Sequence, residues 1–134
     1  MSIKIEGLEE LLEKLEFKNK DLTPQLQKAC ALVERDAKQL APKGTGELRR
    51  SITSKVEDNV GIIYTPLLYA PYVEYGTGLF AENGGRQDVP WHYKDDEGKW
   101  HSTYGMHPHP YMRPALQQNK KKIIEIIKEG ILND

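Results

Sequence analysis

One cysteine, Cys30, stands among the 134 residues, so no disulfide can close within the chain. That fits a reducing cytoplasm. No apolar run approaches the ~18 residues that a membrane span requires. The start, MSIKIEGLEE, carries no apolar signal-peptide core. Net charge is −1, so no global basic field points to nucleic acid. There is no GxSxG, GxGxxG, P-loop or HExxH, and no serine is marked as a nucleophile. These absences leave no persuasive catalytic constellation and give no reason to expect a cofactor. Charged residues at 29% and hydrophobic ones at 38% are ordinary for a soluble globular chain. The length suits one domain with a single core.

Local patterns predict the elements in order. Ile3 and Ile5 alternate with polar residues, an edge-strand signal ended by Gly7. Leu8, Leu11, Leu12 and Leu15 then recur at helical spacing, with glutamates opposite, for about three turns. Lys18 to Leu22 reads as a polar link. Thr23-Pro24 predicts a helix start, hydroxyl cap then proline. Leu26, Ala29 or Cys30, Val33, Ala37 and Leu40 mark its apolar stripe, and Pro42 ends it. The alanines are small enough for another element to approach closely, and Cys30 reads as core. KGTGELRRS predicts a compact helical turn with Arg49 and Arg50 at its end. Ile52–Glu57 and Val60–Tyr64 are β-rich runs joined by Asp58-Asn59, which tolerate the positive φ of a two-residue turn.

The chain turns on Tyr64 to Gly78, YTPLLYAPYVEYGTG, with four tyrosines, two prolines and one carboxylate. Pro71 can open a short helix with Ala70 just outside, and Gly76 is expected to stop it in αL. Tyr69, Tyr72 and Val73 then share a face. Glu74 is left among rings and needs a partner, for which Arg49, Arg50 and Arg113 are candidates. Beyond it, Leu79 to Asp88 has no periodicity. Pro90 to Thr103 reads as a second hairpin turning at Asp95–Gly98. Pairing Lys94 with Lys99 puts Tyr93 opposite Trp100 and His92 opposite His101. Met106 to Pro110 must be extended. Arg113-Pro114 opens a last helix with the stripe Leu116, Ile123, Ile127 and Ile131, broadened by Ile124, Ile126 and Leu132.

His92, His101, His107 and His109 fall within eighteen residues, so zinc, which wants three or four converging ligands, has to be weighed. A metal-dependent enzyme built on this cluster is one alternative reading. A nucleic-acid-binding module using Lys120, Lys121 and Lys122 with Arg49 and Arg50 is another. No Cys pair supports the first, and the lysines read as a solvated helix face.

Three blocks carry a resemblance. They are Ala41-Pro42 with Thr45-Gly46-Glu47-Leu48-Arg49-Arg50-Ser51-Ile52, then Tyr69-Ala70 with Val73-Glu74-Tyr75-Gly76-Thr77, then Pro110-Tyr111-Met112-Arg113-Pro114-Ala115. In that order and spacing they resemble the tail-component family of lambda-like siphophages, also called head–tail joining or tail-completion proteins. The resemblance covers about residues 5 to 132 and departs from the family pattern between Leu79 and His109. It implies one α+β domain over residues 1–134, with a small antiparallel sheet flanked by long N-terminal and C-terminal amphipathic helices. An inserted loop or hairpin arm is expected at about 79–109. It further implies a structural, non-catalytic subunit of the phage neck or tail. Other neck and tail proteins, and further copies of itself in a ring, are its implied partners, with no membrane and no specific nucleic acid. The residues singled out for interface or structural roles are Arg49, Arg50, Tyr69, Tyr72, Glu74, Tyr75, Trp91, Tyr93, Trp100 and Arg113.

Overall fold

In the computed structural model, which describes residues 1–15, 20–82 and 84–132, Asp58 and Asn59 have φ of 50° and 58°. Two successive left-handed residues make the tight turn whose twist matches that of paired strands. They join β2 (Thr53–Glu57) to β3 (Val60–Tyr64), and Glu57 lies opposite Val60. β1 (Ser2–Ile5) pairs antiparallel on the far side of β3, giving the order β1-β3-β2. Asn59 also ties the turn to the neighbouring segment. Its Oδ1 accepts the Leu22 N–H at 3.0 Å, and its Nδ2 donates to the Lys20 carbonyl at 2.9 Å.

Small antiparallel sheets interspersed with helices confirm an α+β protein. Its chain divides into two compact units, residues 1–67 with 111–134, and residues 68–110. In the first, α1 (Leu8–Lys14) is two turns rather than the three expected. Of its leucine stripe only Leu12 is fully buried; Leu11 and Leu15 are 41% and 47% exposed. Residues 18 and 19 of the predicted polar link lie outside the described residues.

α2 (Thr23–Leu40) buries Leu26, Ala29, Cys30, Val33 and Ala37, with Leu40 half-buried. It packs on β2 and β3 from one side and meets α5 and α6 on another. The helix comes so close to the sheet that a Cβ added at Gly61 would lie 2.6 Å from the Cys30 Sγ. Burial pushes that thiol up to about 11, so it is packing and not a nucleophile. The N-terminal cap differs from the one expected. Thr23 lies inside the helix, and the Asp21 carboxylate accepts both its N–H (2.9 Å) and its hydroxyl (2.6 Å). Asp21, charged, suits the positive helix end better than a neutral hydroxyl does.

α3 (Glu47–Ser51) follows Gly46, and the final helix divides in two. The predicted continuous helix is α5 (Met112–Gln118) and α6 (Lys120–Leu132), broken at Asn119. Before the break the inward residues are Met112 and Ala115, with Leu116 only half-buried. The cause is Asn119, 2% exposed, whose Nδ2 donates to Asp36 Oδ2 at 2.7 Å and to the Ala115 carbonyl at 2.8 Å. That amide occupies a carbonyl of the preceding turn and turns the helix there. After it Ile123, Ile126, Ile127 and Ile131 point inward as predicted, whereas Ile124 and Leu132, expected to broaden the stripe, are 46% and 77% exposed.

Removing the Asn119 amide takes hydrogen bonds from the Ala115 carbonyl and from a partly buried carboxylate that Arg35 also pairs, so Asn119→Ala should cost about 1–3 kcal/mol in chemical denaturation. The Asn119 hydrogen bond is also the main reason that the Asp36 carboxyl sits below its ordinary range. A carboxylate with a depressed folded value contributes fully above the ordinary carboxylate range, and its contribution fades as pH falls through the depressed value. Stability measured from neutral to strongly acidic pH should therefore drop less steeply in Asn119→Ala than in the wild type.

Candidate assembly surface

Residues 68–110 are built around backbone pairing, not a large core. α4 (Ala70–Tyr75) has Ala70 inside it and Pro71 at its second position, one residue earlier than expected. Gly76 ends it at φ 81° and ψ 174°, not in the expected αL. The extended ψ sends the chain on beside the returning segment 104–109, which needs the missing side chain: a Cβ there would be 2.9 Å from the Met106 carbonyl. The two segments are joined by Thr77 N–H to Met106 O (2.9 Å), Met106 N–H to Thr77 O (3.2 Å), and Leu79 N–H to Tyr104 O (2.9 Å). His109 N–H donates to the Val73 carbonyl at 2.8 Å, and Thr77 Oγ1 accepts from Met106 N–H at 2.9 Å. The extended MHPHP run thus closes the base of the segment that the sequence marks as an arm.

Within that segment, β4 (Trp91–Lys94) pairs with β5 (Trp100–Thr103) one residue out of the expected register. Lys94 lies opposite Trp100, Tyr93 opposite His101 and His92 opposite Ser102. The turn has three residues between Asp95 and Lys99, with Gly98 at φ 82°, a geometry that demands glycine and adds a bulge. Asp95 drives it. Oδ1 accepts the Glu97 and Lys99 N–H groups at 2.9 and 2.8 Å, and Oδ2 meets His101 Nε2 at 2.7 Å. Those partners, His101 first, hold the Asp95 carboxyl below its usual range. A carboxylate that bonds its own turn was a signal available in the sequence and was missed.

The aromatic residues split into two groups. Trp91 is half-buried, with the Arg86 guanidinium 4.7 Å from its ring centre and Gly78 against its edge, 2.6 Å from where a Cβ would be. Arg86 is itself fixed on Asp88 by bonds of 2.8 and 3.1 Å. Trp100 is 70% exposed, and Tyr93, stacked on His101 at 5.2 Å, is 46% exposed. On α4, Tyr72 is 57% exposed and Tyr69 and Tyr75 are also outward, with Leu68 beside them. Glu74, by contrast, is wholly buried, which the helix face dictates: it is the position turned away from all three tyrosines. Tyr104 and Leu68 extend this surface and were not singled out from sequence.

The arginines have local tasks. Arg49 Nε and Nη2 donate to the Ala41 carbonyl at 3.1 and 3.0 Å, and Nη2 reaches the Gln39 carbonyl at 3.2 Å. It satisfies orphan carbonyls at the end of α2, the usual service of a cation there. Arg50 donates to the Thr45 carbonyl at 3.3 Å. Arg113 is half-buried in α5.

The histidines do not converge. His92 bonds Ser102 (2.7 Å), and His101 bonds Asp95 from the opposite face of the ribbon. His107 stacks on Phe80 at 3.9 Å between ring centres. Among the described residues no three His, Cys, Asp or Glu side chains group as metal ligands do. Lys120, Lys121 and Lys122 are exposed on the outer side of α6.

The two tryptophans should therefore separate by mutation. Trp91→Ala removes a packed ring and should lower the thermal midpoint by several degrees, equivalent to about 2–4 kcal/mol. Trp100→Ala should leave the midpoint within about a degree of wild type, because surface changes away from packed features stay within ~0.5 kcal/mol. Differential scanning calorimetry on the isolated protein distinguishes the two.

Residues 5–76 match the family model described as "Bacteriophage HK97-gp10, putative tail-component". No curated protein and no solved structure matches the chain. The matched span takes in most of the sheet, α2, the arginine-bearing α3 and all of α4. It stops before the β4–β5 hairpin and the block at Pro110–Ala115. Since it covers more than half of the 134 residues, the chain belongs to the HK97-gp10-like family of bacteriophage tail components, structural proteins of the virion.

Proposed function

We propose that this protein is a non-catalytic subunit at the phage head–tail junction, or one that completes the tail before it joins the head. It acts in several copies, arranged in a ring, against other neck and tail proteins. Family membership over residues 5–76 is the observation that carries this reading. The surface supports it. Tyr69, Tyr72, Tyr75, Tyr93, Tyr104 and Trp100 stand outward on residues 68–110. Aromatic side chains of this kind anchor protein–protein contacts because they bury much area with few rotatable bonds. Trp91 and the 73–79 to 104–109 pairing hold that surface in one shape, which limits the ordering cost of docking. The outer strands β1 and β2 offer backbone groups for strand addition by a neighbour. The protein is made in the host cytoplasm and ends in the particle.

Disrupting the gene in a phage or prophage tests the reading. The expected result is filled heads and tails that fail to join, visible by electron microscopy, with infectivity reduced by orders of magnitude and restored by wild-type protein in trans. A double variant, Tyr72→Ser with Trp100→Ser, should fold normally yet restore little infectivity. Normal, infectious particles after disruption contradict the proposal.

A further inference from the structure

An apolar groove of about 480 Å³ lies between β1–α1 and α5–α6. Ile5, Leu8, Leu11, Ile124, Ile127 and Ile131 line it, and Lys4, Lys120 and Lys128 stand on its rim against the single acid Glu6. Its immediate surroundings identify the occupant by charge. α1 presents Glu9, Glu10 and Glu13 outward beside Leu11 and Leu15, both nearly half exposed. α6 presents Lys120, Lys121, Lys122 and Lys128 outward beside Ile124, 46% exposed, with Glu125 and Glu129 also exposed along the helix. Among the described residues none of these glutamates or lysines forms an ion pair within the chain. One molecule thus carries an acidic leucine helix, unpaired, and a basic isoleucine groove, also unpaired.

We propose that the groove seats a second copy of this chain, whose α1 enters with its leucines inward and its glutamates over Lys120, Lys121 and Lys128. The contact deepens the multi-copy reading given above and rests on it for its biological meaning. Apolar burial supplies the affinity, and the rim charges choose the partner and the orientation. The helix and the groove it borders form one patch, so the contact is reciprocal and pairs two copies about a two-fold axis. It stands in addition to the head-to-tail contacts that a ring requires.

A charge exchange on the full chain tests this. Sedimentation at low salt should show wild-type self-association that weakens as salt rises. Lys120→Glu with Lys128→Glu sets acid against acid, and Glu9→Lys with Glu13→Lys sets base against base. Each double variant alone should associate at least about tenfold more weakly than wild type while keeping its helical circular dichroism. An equimolar mixture of the two restores opposite charges at every contact and should recover association. Leu11→Asp should abolish association without lowering the thermal midpoint. A wild type that stays monomeric, or a mixture that fails to recover, overturns the proposal. So does a Leu11→Asp monomer that melts several degrees early, since the groove is then closed by the chain itself. The phage role is read separately: a monomeric variant that restores full infectivity removes this surface and leaves the tail-component role standing.

Discussion

Everything in the first unit depends on how closely α2 lies on β3. At Gly61 there is no side chain, and the Cys30 sulfur occupies the space one would need. Ala29, Cys30 and Ala37 keep that face of the helix low, while Leu26 and Val33 fill the gaps between sheet and helix. A single methyl added at Gly61 would overpack the contact, a change that costs about 1–3 kcal/mol in well-filled cores. Once α2 is seated, polar groups fix its position along the sheet. Asp21 caps its start, Asn59 holds the residue before it, and Arg49 takes the carbonyls at its end. Asn119 binds Asp36 on its flank and thereby sets where α6 begins. The basic and apolar face of α6 follows from that one break.

The second unit is stabilised differently. With forty-three residues it is too short to bury much apolar area by itself. It is held by paired backbone between 73–79 and 104–109, by stacked rings, and by turns whose carboxylates bond their own N–H groups. Apolar residues are correspondingly free to face outward. Trp100, Tyr72 and Leu68 lie where water would otherwise be expected to favour charge. In a structural protein of a virion, such residues are what another subunit would cover.

Much of this was legible in the sequence because the signals were local. The Asp58-Asn59 turn, the β2–β3 pairing, the α2 stripe with its small residues and the inward isoleucines of α6 all follow from spacing within one element. What escaped depends on side chains bonding across elements. Nothing local announces that Asn119 will meet Asp36, eighty-three residues away, and break a helix whose apolar period runs on past it. The second hairpin slipped by one residue because a three-residue turn with Gly98 in the left-handed region competes with a four-residue one, and Asp95 decides between them. The α2 cap moved from Thr23 to Asp21 for a similar reason, since both residues are good caps and only geometry ranks them. At the candidate surface, Glu74 was expected among the rings but lies buried on the helix face turned away from Tyr69, Tyr72 and Tyr75. Which tryptophan packs and which stays outside could not be read from a segment without periodicity.

The central claim is that this chain is a fixed part of the particle, present in several copies where head meets tail. Electron cryomicroscopy of purified particles, reconstructed at the neck without imposing the symmetry of either neighbour, tests it most directly. The account predicts density for both compact units in a ring between the connector and the tail tube, with residues 68–110 against a different protein. Particles whose necks contain no density for this chain, although infectious and complete, would contradict it.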